Sequence, residues 1–156
     1  MEFTEEKRSH LLRYACSLLG NRDDAEDAVQ DLLLHFCKRL PEEAPHNPEH
    51  YLFRSLHNLC TDRLRRKPCP ILPMEQVENI YEEASPDQEE ALQCIQYLLS
   101  AIPAEQAEVI RLRFYADKSF QEISTWLNVP LPTVKSRFRY GLEKLKKSMH
   151  EQQTTV

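Results

Sequence analysis

Glycine is nearly absent from this chain, with two residues in 156, and tryptophan occurs once. Hairpin turns draw on glycine for positive φ, so a chain this poor in glycine does not read as a many-stranded sheet protein. A hydrophobic content of 41% at this length fits one or two small helical domains. No run of about eighteen apolar residues occurs, and the first ten residues, MEFTEEKRSH, lack the basic-then-apolar order of a secretion signal. The expectation is a cytoplasmic protein without a membrane span. The five cysteines (Cys16, Cys37, Cys60, Cys69 and Cys94) include no Cys-x-x-Cys pair. An odd number scattered along helical segments predicts reduced, mostly buried thiols. His57 and Cys60, with His46 and His50 nearby in sequence, offer the nearest approach to a metal clip, but no tight pair-of-pairs exists, so no metal and no cofactor are expected. A glycine-rich phosphate loop and a nucleophile–base spacing are missing as well, which argues against an enzyme with a small-molecule substrate.

What the chain does contain is concentrated in residues 119–140, SFQEISTWLNVPLPTVKSRFRY. Ser119 and Glu122 form a capping-box pattern that starts a helix, and Ile123 and Leu127 lie on its apolar side. Asn128 suits a left-handed exit and Pro130 forbids continuation, so the chain turns before a second helix starting around Pro132. Val134, Phe138, Leu142 and Leu145 recur at helical spacing, which places Lys135, Ser136, Arg139 and Tyr140 mostly on the opposite, solvent-facing side. Two short helices joined by a tight turn, with basic residues on the second, read as a helix-turn-helix and hence as DNA binding. Ser136 and Arg139 offer hydrogen bonds to base edges or phosphates, Lys135 offers charge, and Arg137 and Lys144 flank them within reach of the backbone. The plain alternative is an amphipathic helix with a solvated basic face.

The net charge of −5 argues against indiscriminate binding to nucleic acid, but the charge is unevenly distributed. Residues 51–67 carry Arg54, Arg63, Arg65, Arg66 and Lys67 against Asp62, a net of +4. Residues 118–150 set seven Lys and Arg against Glu122 and Glu143, a net of +5. Between them, residues 68–90 hold seven carboxylates and no Lys or Arg. The chain is thus two basic modules around an acidic connector.

About seven helices are predicted. Thr4 caps the first, whose apolar residues Leu11, Leu12, Ala15, Leu18 and Leu19 end at Gly20. Asp23 and Asp24 favour the start of the next, with Ala28, Val29, Leu32, Leu33 and Phe36 on its core face and a stop at Pro41. Asn47 and Pro48 supply the cap and first position of a third, running to about Arg66. After the proline-broken KPCPILP, Ser85 and Pro86 start another helix, and Pro103 opens the one before the helix-turn-helix. The boundary falls between residues 67 and 85, a stretch too polar and broken to form a core.

Three segments, taken in order, carry a resemblance. DDAEDAVQDLLLHF looks like a D-A-E-D-x-x-Q helix; YLFRSLHNLCTDRLRR is similar to a W-L-x-x-x-x-x-N-x-x-x-D-x-x-R helix; residues 99–147 are similar to a C-terminal helix-turn-helix module. Together they make the chain resemble a sigma-70-type RNA polymerase sigma factor of the small extracytoplasmic function (ECF) group. The resemblance implies an all-α fold of two helical domains: sigma region 2 over 1–67, an acidic flexible linker over 68–85, sigma region 4 over 86–150, and a disordered tail over 151–156. It implies a promoter-specificity factor with no catalysis of its own, whose partners are bacterial core RNA polymerase, promoter DNA and an anti-sigma factor. Asp27, Gln30 and Asp31 match the positions that dock on the polymerase. Arg54, Asn58, Asp62, Arg65 and Arg66 match those facing the proximal (−10 type) promoter element, where an amide can hold an unstacked base by its edge. Thr133, Lys135, Ser136, Arg137, Arg139 and Tyr140 match those reading the distal (−35 type) element as duplex. Loop 42–47 matches the family's specificity loop; the family's linker threads toward polymerase channels whose walls bind nucleic acid, and the resemblance implies that the acidic linker here imitates that anion.

The sequence departs from that pattern at Tyr51, where the family has tryptophan, and at Pro130, where a serine or similar cap is usual. Two other readings stay open: a free-standing helix-turn-helix regulator that uses residues 1–67 to oligomerise, and a metal or thiol sensor built on His57, Cys60 and Cys69.

Overall fold

The structure is a computed structural model, and it describes residues 4–39, 47–66 and 86–154. The expected linker, most of loop 42–47, His46, Cys69 and Ser85 lie outside these residues. The described residues form seven helices and no strand: α1 (Glu5–Leu19), α2 (Arg22–Arg39), α3 (Pro48–Arg66), α4 (Pro86–Ser100), α5 (Ala104–Phe114), α6 (Phe120–Leu127) and α7 (Leu131–Thr154). The all-α expectation and the helix count both hold. The chain divides into two compact units, Met1–Ile95 and Gln96–Val156, with the division inside α4.

In the first unit the helix ends follow from short polar side chains. Thr4 Oγ1 accepts from the Lys7 amide at 3.3 Å, and α1 stops at Gly20 in the left-handed region (φ 69°), its amide bonded to the Cys16 carbonyl. Asn21 Oδ1 accepts from the amides of Asp23 and Asp24 at 2.8 and 3.3 Å, a side-chain cap added to the dipole effect anticipated for those two aspartates. Asn47 Oδ1 accepts from the His50 amide at 3.2 Å ahead of Pro48, and α3 ends at Arg66 as expected.

These three helices close around Leu11, Ala15, Leu18, Ala28, Val29, Leu32, Phe36, Leu52, Phe53 and Leu56. Tyr14, absent from the expected core, is fully buried at its centre. Its hydroxyl is 3.0 Å from His57 Nδ1 and its ring meets Phe53 edge-on at 5.4 Å, so a partnered phenol fills a place that apolar patterning leaves unmarked. The thiols correct an expectation in part. Cys16 and Cys60 are buried, and burial pushes the Cys16 thiol up, so it stays protonated at neutral pH. Cys37 and Cys94 are exposed, because Cys37 follows Phe36 around α2 onto the solvent side and Cys94 lies on the outer side of α4. Among the described residues no group of three His, Cys, Asp or Glu converges as a metal site.

The second unit packs Leu98, Leu99 and Ile102 with α5, α6 and α7 around Val109, Ile110, Leu112, Ile123 and Val134. The link from α5 to α6 turns at Asp117, which sits at φ 55°, and the Lys118 amide reaches back to the Leu112 carbonyl at 3.0 Å. A left-handed non-glycine residue is strained, and aspartate only partly escapes this. Asp117→Gly is therefore expected to stabilise the protein by about 0.5 kcal/mol, after allowance for the looser unfolded chain, and to raise its melting temperature.

Ser119 Oγ accepts from the Glu122 amide at 3.1 Å, which is half of the expected capping box. The Glu122 carboxylate instead lies 3.7 Å from the Lys118 ammonium. Ser119→Ala is expected to cost about 1 kcal/mol of stability, measurable as a lower denaturation midpoint. At the far end, α7 runs to Thr154, so helix continues into the 151–156 segment expected as a disordered tail. No glycine or proline follows Gly141, and Glu151 and Gln152 are good helix formers.

Candidate polymerase and nucleic-acid interfaces

α2 buries Ala25, Ala28, Val29, Leu32 and Phe36, and this register leaves Asp27, Gln30 and Asp31 exposed on the other side. Leu34 continues that stripe one turn on, and at 56% exposure it is a large apolar side chain turned outward, whereas Leu32 of the same helix is buried. The sequence reading left Leu34 unassigned; its offset of seven from Asp27 was the available signal. Asp31 differs from its neighbours because it is paired: Arg63 Nη2 lies 2.5 Å from its Oδ2.

α3 buries Leu52, Phe53, Leu56 and Cys60, and by the same geometry Arg54, Asn58, Asp62 and Arg65 share one exposed side, with Arg66 at its edge. Asp62 and Arg66 form an exposed pair at 3.5 Å. A cleft of about 830 Å³ runs between α2 and α3; Asn58, Asp62, Arg65, Tyr51 and Ser55 line one wall, and Asp31, His35 and Arg39 line the other. His35 and Arg39 were not anticipated, since the helix spacing of α2 alone does not say that this side faces α3. Tyr51, in the place of the family's tryptophan, lies 6.0 Å from the Phe36 ring and keeps an aromatic contact there. Nearby, partial burial and then the Arg54 charge hold the His50 imidazole below its usual range, so it is neutral at neutral pH and leaves Arg54 as the cation of that turn.

α6 and α7 meet through a fixed turn. Asn128 adopts the left-handed conformation (φ 55°, ψ 48°), and Ser124 Oγ donates to the Val129 carbonyl at 2.6 Å while the Val129 amide returns to the Ser124 carbonyl. With no side chain able to cap at Pro130, its carbonyl starts α7 by accepting from the amides of Thr133 and Val134 at 3.0 and 3.1 Å. Val134 is fully buried, and Lys135, Arg139 and Tyr140 are exposed with Ser136 beside them. The Arg139 guanidinium lies 5.0 Å above the Tyr140 ring. Thr133 and Arg137 flank this side, and Arg137 reaches back to Glu105 of α5 at 3.4 Å. A row of donors over an aromatic face, carried on a helix fixed by such a turn, has the shape and chemistry to enter a major groove.

The chain matches the family described as Sigma-70 region 2 over residues 4–68 and that described as Sigma-70, region 4 over residues 98–147. The two matches bracket the two exposed basic helices and account for most of the chain. It belongs to the sigma-70 family. Among the relatives of this sigma-70 chain, the ECF RNA polymerase sigma factor SigE of Mycolicibacterium smegmatis is 29% identical, over 93% of the chain and 59% of SigE. SigL of Mycobacterium tuberculosis is also 29% identical, over 94% of the chain and 86% of SigL. The chain therefore spans little more than half of one of these relatives and most of the other. A solved structure of CnrH in complex with the cytosolic domain of CnrY shares the fold, with a TM-score of 0.65 at 22% identity, covering 91% of this chain and 81% of that one. No helix among the described residues is long and apolar enough to cross a membrane.

Proposed function

We propose that this chain is a promoter-specificity factor that binds core RNA polymerase in the cytoplasm and directs initiation at promoters with two elements. The observation that carries this reading is the pairing, in one sigma-70 chain, of two exposed polar helix faces on separate units: Arg54, Asn58, Asp62 and Arg65 on α3, and Lys135, Ser136, Arg139 and Tyr140 on α7. Residues 1–67 act as region 2, 68–85 as linker and 86–150 as region 4. Asp27, Gln30 and Asp31 dock on an arginine-rich polymerase surface, with Leu34 supplying an apolar contact at the C-terminal end of the stripe. Asn58 holds a promoter base once it leaves the stack, Arg65 and Arg66 hold the adjoining phosphates, and Asp62 orients Arg66. Thr133, Lys135, Ser136, Arg139 and Tyr140 read the distal element as duplex, and Arg137 divides its charge between Glu105 and the DNA backbone.

Each module alone binds weakly; held on one polymerase they act at high effective concentration, and their spacing selects which element pairs count. The polymerase performs the chemistry. An anti-sigma factor is the expected inhibitor, since a fold neighbour, the sigma factor RpoE of Bartonella quintana, was solved in complex with the anti-sigma factor NepR. The test is run-off transcription by bacterial core polymerase on a genomic promoter library, with and without the protein. New defined starts that require it support the reading; DNA binding by the protein alone, without such starts, supports a free-standing regulator instead.

A further inference from the structure

Asp31 lies on two surfaces at once. It belongs to the exposed α2 stripe with Asp27, Gln30 and Leu34, and it also lines the cleft that holds Asn58 and Asp62 on its opposite wall. Arg63 reaches it from α3, with Nη2 at 2.5 Å from Oδ2 and Nη1 at 3.5 Å from the Asp24 carbonyl. The side chain of Arg63 is 28% exposed and leaves α3 on the side of Leu52 and Leu56, away from the outer face of Arg54, Asn58 and Arg65. Asp31 is 61% exposed, so an approaching guanidinium can reach the same carboxylate from outside. An ion pair this exposed is readily exchanged, because it shifts an equilibrium by only about two- to fivefold.

Resting on the docking reading above, we propose that Arg63 is an internal stand-in for the polymerase's cation at Asp31. In the free chain it neutralises a carboxylate that would otherwise repel a phosphate strand at the rim of the cleft. When the polymerase docks, its own cation takes Asp31, and Arg63 is released toward the promoter strand beside Arg66. Arg63 is thus a positioning residue that links docking on α2 to strand capture on α3, and competition for one carboxylate is the physical basis of the link.

The test uses the full chain with purified core polymerase, Arg63→Met, Asp31→Asn and the double variant, and a promoter recovered by the run-off selection. Removing the competitor should tighten core binding by about two- to fivefold, the range carried by an exposed pair, and the change should vanish in the Asp31→Asn background. The same variant should reduce the log–log salt slope of promoter-strand retention by about 0.7, the share of one phosphate contact on a single strand. A tie that only holds α2 to α3 would do neither, so unchanged or weaker core binding by Arg63→Met overturns the proposal. Should that variant melt early, the charge swap Asp31→Arg with Arg63→Asp restores the pair. The swap nevertheless takes the carboxylate off α2, so core binding should be lost, and parent-like core binding by the swapped chain overturns the proposal. Asp27→Arg separates the two readings: if core binding survives it, the docking reading fails, whereas its loss beside an unresponsive Arg63→Met condemns the stand-in alone.

Discussion

Asp27→Arg is expected to weaken binding to core polymerase by about 100-fold or more and to abolish the starts that depend on this chain. The substitution removes an attraction and puts a guanidinium against a cationic partner, and like charges brought together at an interface cost several kcal/mol. Asp27 projects from α2 opposite Ala28 and Val29, so the folded chain accommodates arginine there without disturbing the core. The melting temperature should stay close to that of the parent protein, and this separates lost docking from lost folding. Asp27→Asn, which removes the attraction alone, should lie between the two. Binding measured by fluorescence anisotropy of the labelled chain gives all three affinities. Parent-like affinity for Asp27→Arg would move the docking surface off this face of α2.

How far the sequence could be read depended on whether a signal was local. Helix starts and stops at Thr4, Gly20, Asn47, Ser119 and Asn128 are written in residues within four positions of the bond they make, and all five appear where expected. The exposed face of α7 followed from spacing, because it is what remains once the apolar positions are buried, whereas Arg54, Asn58, Asp62 and Arg65 of α3 were marked by the resemblance. Contacts between helices left no such mark. Nothing near Arg63 in sequence points to Asp31, 32 positions earlier, and nothing near Tyr14 points to His57. The cleft between α2 and α3 is likewise a product of assembly, so Asn58 was legible as a site residue and His35 and Arg39 across from it were not. A tyrosine reads as amphipathic in any periodic scan; only a partner for its hydroxyl makes it a core residue.

Gly141 is the residue whose replacement should do most damage to the second unit, and its role was invisible for the same reason. A glycine inside an exposed helix costs about 1 kcal/mol relative to alanine, so its place in the middle of α7 calls for a reason in the packing. A Cβ at this position would lie 2.7 Å from Ile110 Cδ1 and 3.3 Å from Gln106 Cβ, both on α5. Any side chain at 141 would therefore force Ile110 of α5 to shift, and this close α5–α7 contact supports the helix that carries Lys135, Ser136, Arg139 and Tyr140. Alanine recovers helix propensity but must displace Ile110, whose buried side chain has little room to turn; a net loss of about 1 kcal/mol is expected. Leucine forces the helices apart, and a loss of about 3 kcal/mol or more, against the few that hold a unit this small, should leave region 4 largely unfolded. Chemical denaturation should then show the first unit melting as before while the second loses its transition. Function should divide the same way, with core binding through α2 kept and selection of the distal element lost. If Gly141→Leu melts like the parent, α5 and α7 do not meet at this glycine, and the placement of the recognition face must be redrawn.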